Sequence, residues 1–145
     1  MPTAPEERSS LDELTREDCL QLVASHSIGR LAVAVPGQPP IVVPLNYVLD
    51  VDVVVFRSDP GTKVDLAREH PVSFQVDFFD PIHRSGWSVL IRGVAVGVEP
   101  TDVAHLDLES WVGGAKGHWM RVLPRQVTGR RIHLADVPRD PRAYL

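Results

Sequence analysis

Cysteine is nearly absent from this chain: Cys19 is the only one in 145 residues, which excludes an internal disulfide and any multi-cysteine metal site. Long apolar runs are missing too. None approaches the roughly 20 residues that a membrane-spanning helix needs, so no membrane role is expected. Positive charge is in deficit, with 15 Lys and Arg against 19 Asp and Glu. The resulting net charge of −4 gives no overall pull toward nucleic acid or an anionic lipid surface. No GxSxG, Walker A or GxGxxG pattern occurs. The six histidines, His26, His70, His83, His105, His118 and His133, show no HxxxH spacing, so no metal site is expected. The first ten residues are polar and carry Glu6 and Glu7, unlike a secretory signal. A cytoplasmic protein is the default expectation.

What is present is one domain's worth of ordinary soluble-protein sequence, 43% hydrophobic and 23% charged. Its most informative stretch is Phe56-Arg57-Ser58-Asp59-Pro60-Gly61-Thr62-Lys63. An apolar strand, Val53 to Phe56, runs there into a turn with two hydroxyls, a glycine and a lysine, and a helix-compatible run, Val64 to Glu69, follows. Backbone N–H groups at a helix start favour an anion. Thr62 can add a hydroxyl, and Lys63 and Arg57 can add charge, which together make a phosphate seat. The same residues also fit a helix capped by Asp59 beside two solvated cations.

Residues 1–13 read as a flexible arm, 14–137 as the folded domain and 138–145 as a surface tail. Thr15 is a candidate N-cap, with Asp18 three residues on, for a short helix carrying Cys19, Leu20, Val23 and Ala24 on one face. Strands follow at Arg30–Val35, Ile41–Leu49, Val53–Phe56, Val72–Asp77 and Trp87–Val98, with Phe78 to Ser85 as a loop. Pro44 inside the second strand implies an edge or a bulge, and Gly93 and Gly97 imply a bend in the long fifth strand. A helix over Asp102–Trp111, a flexible Gly113–Gly117 and a last pair of strands, Trp119–Leu123 and Val127–Ile132, complete the chain. Near-sequential hairpins with few helices argue for a small, mainly β antiparallel barrel.

Five stretches in order make the chain recognisable: Ile28-Gly29-Arg30-Leu31-Ala32, Val43-Pro44-Leu45-Asn46-Tyr47, Phe56 to Lys63, Gly86-Trp87-Ser88-Val89-Leu90-Ile91-Arg92-Gly93, and Val127-Thr128-Gly129-Arg130-Arg131-Ile132. In these the chain resembles the pyridoxamine 5′-phosphate oxidase-like, FMN-binding split-barrel family, and within it the actinobacterial-type members of unassigned substrate. The resemblance implies a six-stranded antiparallel split barrel with a few short flanking helices, working as a homodimer with two FMN sites at the subunit interface. By position, Thr62 and Lys63 would hold the FMN phosphate, and Arg57 and Ser58 the phosphate or ribityl chain. The backbone around Pro44, Leu45 and Asn46 would border the ring, with Trp87 and Ser88 as further contacts and Arg130 reaching from the other subunit. The basic residues that the oxidases proper carry for their phosphorylated substrate are not reproduced, which argues against vitamin B6 chemistry.

The function expected is therefore a flavin-dependent oxidoreductase acting on a small molecule, with Asp80 and His83 as candidates for the substrate side. A non-catalytic flavin-binding or sensing protein would share every cofactor residue. A deazaflavin coenzyme or haem in the same cleft is the further alternative. Arg121, Arg125, Arg130 and Arg131 cluster late in the chain, but read better as solvated strand ends than as a nucleic-acid surface.

Overall fold

The structure, a computed structural model, describes residues 9–108 and 117–134. Its elements are β1 (Ser9–Glu13), α1 (Arg16–Ala24), β2 (Ile28–Val33), β3 (Ile41–Asp50), β4 (Val53–Ser58), β5 (Pro71–Asp80), β6 (Ser85–Val98) and β7 (His118–Leu134), with short 3-10 turns at Asp65–Ala67 and Pro100–Val103. The strands run β7-β4-β3-β2-β5-β6, and β6 pairs back onto β7, so six antiparallel strands close a barrel. This is the mainly β architecture the sequence implied.

Period-2 alternation fills the barrel. Leu31, Phe56, Phe74, Val76, Trp87, Val89, Ile91, Met120 and Val122 all point inward and are buried. Helix α1 closes one side of it. Thr15 caps it as expected, its hydroxyl accepting from the Asp18 N–H at 3.1 Å. Cys19, Leu22 and Val23 complete the apolar core from outside the sheet. The buried Tyr47 hydroxyl donates to the Val23 carbonyl, and burial pushes its pKa up.

Strand β7 is the rail of the fold. One edge pairs with β6 from Trp119 to Ile132. The other is shared: β4 takes His118–Val122, and β1 takes Arg130–Leu134. Residues 9–13, expected as part of a flexible arm, are therefore a seventh strand. The two strands expected at the end of the chain are one, because Pro124 falls at a β-bulge. Arg92 faces Gln126 and Gly93 faces Pro124, which leaves Arg125 as the extra residue. Gly93 makes the bulge possible: a Cβ there would lie 2.0 Å from the Leu123 carbonyl oxygen.

Other expectations change as well. The helix-compatible run after Lys63 is only the 3-10 turn Asp65–Ala67. Where a helix was expected from Asp102 to Trp111, a single 3-10 turn spans Pro100–Val103, and residues 109–116 lie outside the described residues. The expected tail, 138–145, lies outside them too. Strand β5 continues to Asp80, so the loop before Trp87 shrinks to a tight hairpin tip.

Candidate functional site

β3 and β4 pair only between Tyr47–Asp50 and Val53–Phe56. Beyond Tyr47 and Phe56 they part. Ile41–Asn46 stay with β2, while Arg57 and Ser58 stay with β7. This fork is where the barrel splits. Pro44 sits on the freed edge, opposite Arg30 in an unbroken register with β2, so the edge explanation holds and no bulge is needed. Tyr47 is buried and Leu45 packs against the core, so alternation turns Pro44 and Asn46 to the outer face.

The other arm of the fork leads into the Arg57–Lys63 turn. The Arg57 guanidinium lies 4.9 Å over the Trp119 ring, its neighbour across the ladder. Ser58 points inward instead: it is buried, and its hydroxyl is 3.4 Å from Asp65 Oδ1 and 3.5 Å from Met120 Sδ. Its expected contact with a phosphate or ribityl chain has no side-chain basis here. Gly61, at φ 77°, turns its N–H to Asp65 Oδ2 at 3.0 Å. The Thr62 hydroxyl donates to the Asp59 carbonyl at 2.9 Å and accepts from the Asp65 N–H at 3.3 Å. The 3-10 turn has Val64 at its N-cap and no side-chain cap, and the Thr62 hydroxyl is engaged within the loop, its proton not aimed at a phosphate. Lys63 is exposed.

Asp65 organises this turn, and sequence reasoning missed it. Besides Gly61 and Ser58, its carboxylate meets His118 Nδ1 at 2.7 Å and an Arg68 guanidinium nitrogen at 3.3 Å. Arg68 also lies 3.4 Å from Nδ1, but that nitrogen carries the proton it gives Asp65, so Arg68 serves the carboxylate. The Gly61 N–H and then the His118 hydrogen bond hold the Asp65 carboxyl below its ordinary range, with the Arg68 charge helping. No local signal could have found a pair so distant in sequence.

Ser88 and Trp87 fall elsewhere. Trp87 is fully buried, its indole edge-on to His26 at 4.9 Å between centroids, so it cannot lie against a ligand on the outer face. Ser88 does face outward, in a row with Asp77, Arg130 and Glu13. The next row runs Pro44, Arg30, Gln75, Leu90 and Thr128 across five strands, and an Arg30–Asp77 ion pair at 3.3 Å ties the two. Pro44 and Ser88 are therefore three strands apart, about 14 Å on a curved surface. One chain does not bring them onto one small ligand. Asp80 and His83 are bonded to each other at the exposed β5–β6 tip, where Asp80 also accepts the Ile82 N–H at 2.9 Å. They build a turn, and His83 lowers the Asp80 pKa. No cluster of metal-ligating side chains occurs among the described residues, and no helix there is long and apolar enough to cross a membrane.

A six-stranded closed barrel with one forked seam, a basic turn at the fork and a single capping helix defines the split-barrel class. Residues 15–131 match the pyridoxamine 5′-phosphate oxidase family, and the chain belongs to it. Among its relatives, the uncharacterised protein Rv0080 of Mycobacterium tuberculosis is 31% identical over 89% of this chain and 90% of its own. The structure of an FAD binding protein from Mycobacterium smegmatis is 34% identical, covering 84% of this chain and 98% of that one with a TM-score of 0.71. An FAD-binding protein of Mesorhizobium loti is 27% identical, covering 86% and 98%, with a TM-score of 0.68.

Proposed function

We propose that the protein binds a flavin nucleotide at the β3–β4 fork and uses it as an oxidoreductase on a small molecule. The fork carries this reading, because it leaves an unpaired strand edge and a cationic turn side by side. Lys63 and Arg57 supply charge to a phosphate. Pro44 and Asn46, facing outward on the freed edge, offer an apolar wall and a hydrogen-bonding amide to a ring. Thr62 and Asp65 shape the turn rather than touch the ligand. A bound flavin supplies reversible hydride transfer, and the chain's task is to hold and orient it.

Ser88 and Arg130 cannot reach such a ring from the same chain, and we assign them to the site of a second copy. Pro44, Ser88 and the exposed Leu90 share an outer face that a homodimer would cover. FMN is the cofactor proposed, as the smallest flavin that fills a phosphate seat and one ring wall. The two FAD-binding relatives make FAD the competing choice.

The test is an absorption spectrum after gel filtration, with FMN or FAD added, together with sedimentation. Retained flavin bands on a dimer support the proposal. A protein that emerges colourless with both flavins sinks it, and turnover with a reduced nicotinamide separates an enzyme from a carrier.

A further inference from the structure

On the outer wall, away from the fork, a groove of about 370 Å³ runs over the ends of β2, β5, β6 and β7. Its walls are Ala32, Val33, Pro40 and Pro71, and its polar groups come from Ser73, Arg92, Arg125 and Gln126. No carboxylate lines it, in a chain of net charge −4. Neither guanidinium has an acidic partner among the described residues. Arg92 is 3.5 Å from the Gln126 amide oxygen. Arg125 is the extra residue of the β7 bulge, outside the pairing register with β6.

We infer that this groove is a second anion site, which takes a phosphate monoester with an apolar or aromatic body. Two cations that converge on one concavity without a counter-ion are the arrangement that a dianionic phosphate satisfies and that solvated surface arginines do not need. The apolar walls suit the body of the ligand, and the volume suits something the size of a mononucleotide. The bulge is what makes the site. Gly93 lets the two strands approach closely enough for an extra residue to enter β7, and that residue is an arginine. None of the residues that line the groove belongs to the Arg57–Lys63 turn, so a phosphate held here is not the one held at Lys63. The inference stands whether or not the fork holds a flavin.

AMP is the probe, titrated at low ionic strength into the Lys63→Ala protein, so that the turn does not compete. Saturable binding is expected, weakened at least tenfold in Lys63→Ala carrying Arg92→Gln and Arg125→Gln, and weakened by salt. Both arginines are exposed, so glutamine leaves the fold intact, as an unchanged urea midpoint would verify. No saturable binding at millimolar AMP, or binding indifferent to the two glutamines, overturns the site. The source of the phosphate is read from a second pair of titrations, of FAD and FMN into wild type and Arg92→Gln/Arg125→Gln. A loss for FAD alone assigns the groove to the adenylate half of a dinucleotide. A loss for AMP with both flavins unaffected assigns it to a free phosphate monoester.

Discussion

His118 Nδ1 donates to Asp65 Oδ1 at 2.7 Å, joining the first residue of β7 to the turn after β4 across 53 positions of sequence. Through this bond the barrel's last strand fixes the shape of the loop that carries Lys63. Asp65→Asn keeps the size of the side chain and one acceptor oxygen but removes the charge that meets Arg68 and His118. The expected loss is about 1–3 kcal/mol of stability in urea unfolding. Combined with His118→Gln, the effects should add to less than their sum, because both remove the same contact.

The same carboxylate gives the protein an acid limit. A carboxyl whose folded-state pKa is depressed contributes stability that is present above its unfolded value, about 3.9, and is lost as pH falls through the folded value. Urea midpoints measured from pH 6 to pH 3 should therefore drop more steeply for wild type than for Asp65→Asn. Parallel slopes would show that Asp65 is not the group responsible.

Lys63 is exposed and takes no part in the contacts that shape the turn. Lys63→Ala is expected to leave the unfolding midpoint where it was and to weaken flavin binding by about 10- to 100-fold, the range for one charge-assisted phosphate contact. Fluorescence quenching of added FMN reads the affinity directly. Equal affinity in both proteins would move the phosphate away from this turn.

Gly93→Ala places a methyl group 2.0 Å from a backbone oxygen, where no side-chain rotation relieves it. Strands β6 and β7 must separate locally, at about 2–3 kcal/mol. Chemical denaturation measures the loss. AMP titration of the same variant shows whether the groove is distorted with it.

The parts of the fold legible in the sequence were those whose signal is local. Thr15 and Asp18 marked the start of α1, apolar and β-branched runs marked β3, β4 and β6, and alternation marked β5. Strand β1 was missed because Ser9–Glu13 has no apolar period and joins the sheet through its backbone, on an edge that only β7 provides. The run after Lys63 looked helical by composition, but six residues ahead of Pro71 are too few to sustain an α-helix. Pro124 appeared to end a strand because its accommodation depends on Gly93, far away in sequence. Two side-chain orientations at the site were open to the same local reading. Ser58 shares the inward face of Phe56, and Trp87 that of Val89 and Ile91, by the period-2 rule alone. The Asp65–His118 bond, in contrast, left no trace in either segment.

The part played by β7 also sets the order of events when the chain is made. Strand β1, and one edge each of β4 and β6, wait for residues 118–134 before their hydrogen bonds can close. During synthesis the earlier hairpins must persist with open, apolar edges until that strand emerges, and most of the loop-closure entropy is met in one late step. Refolding should therefore be slow for a domain of this size. A ribosome-stalled chain ending before His118 should be prone to aggregate in a way the finished protein is not.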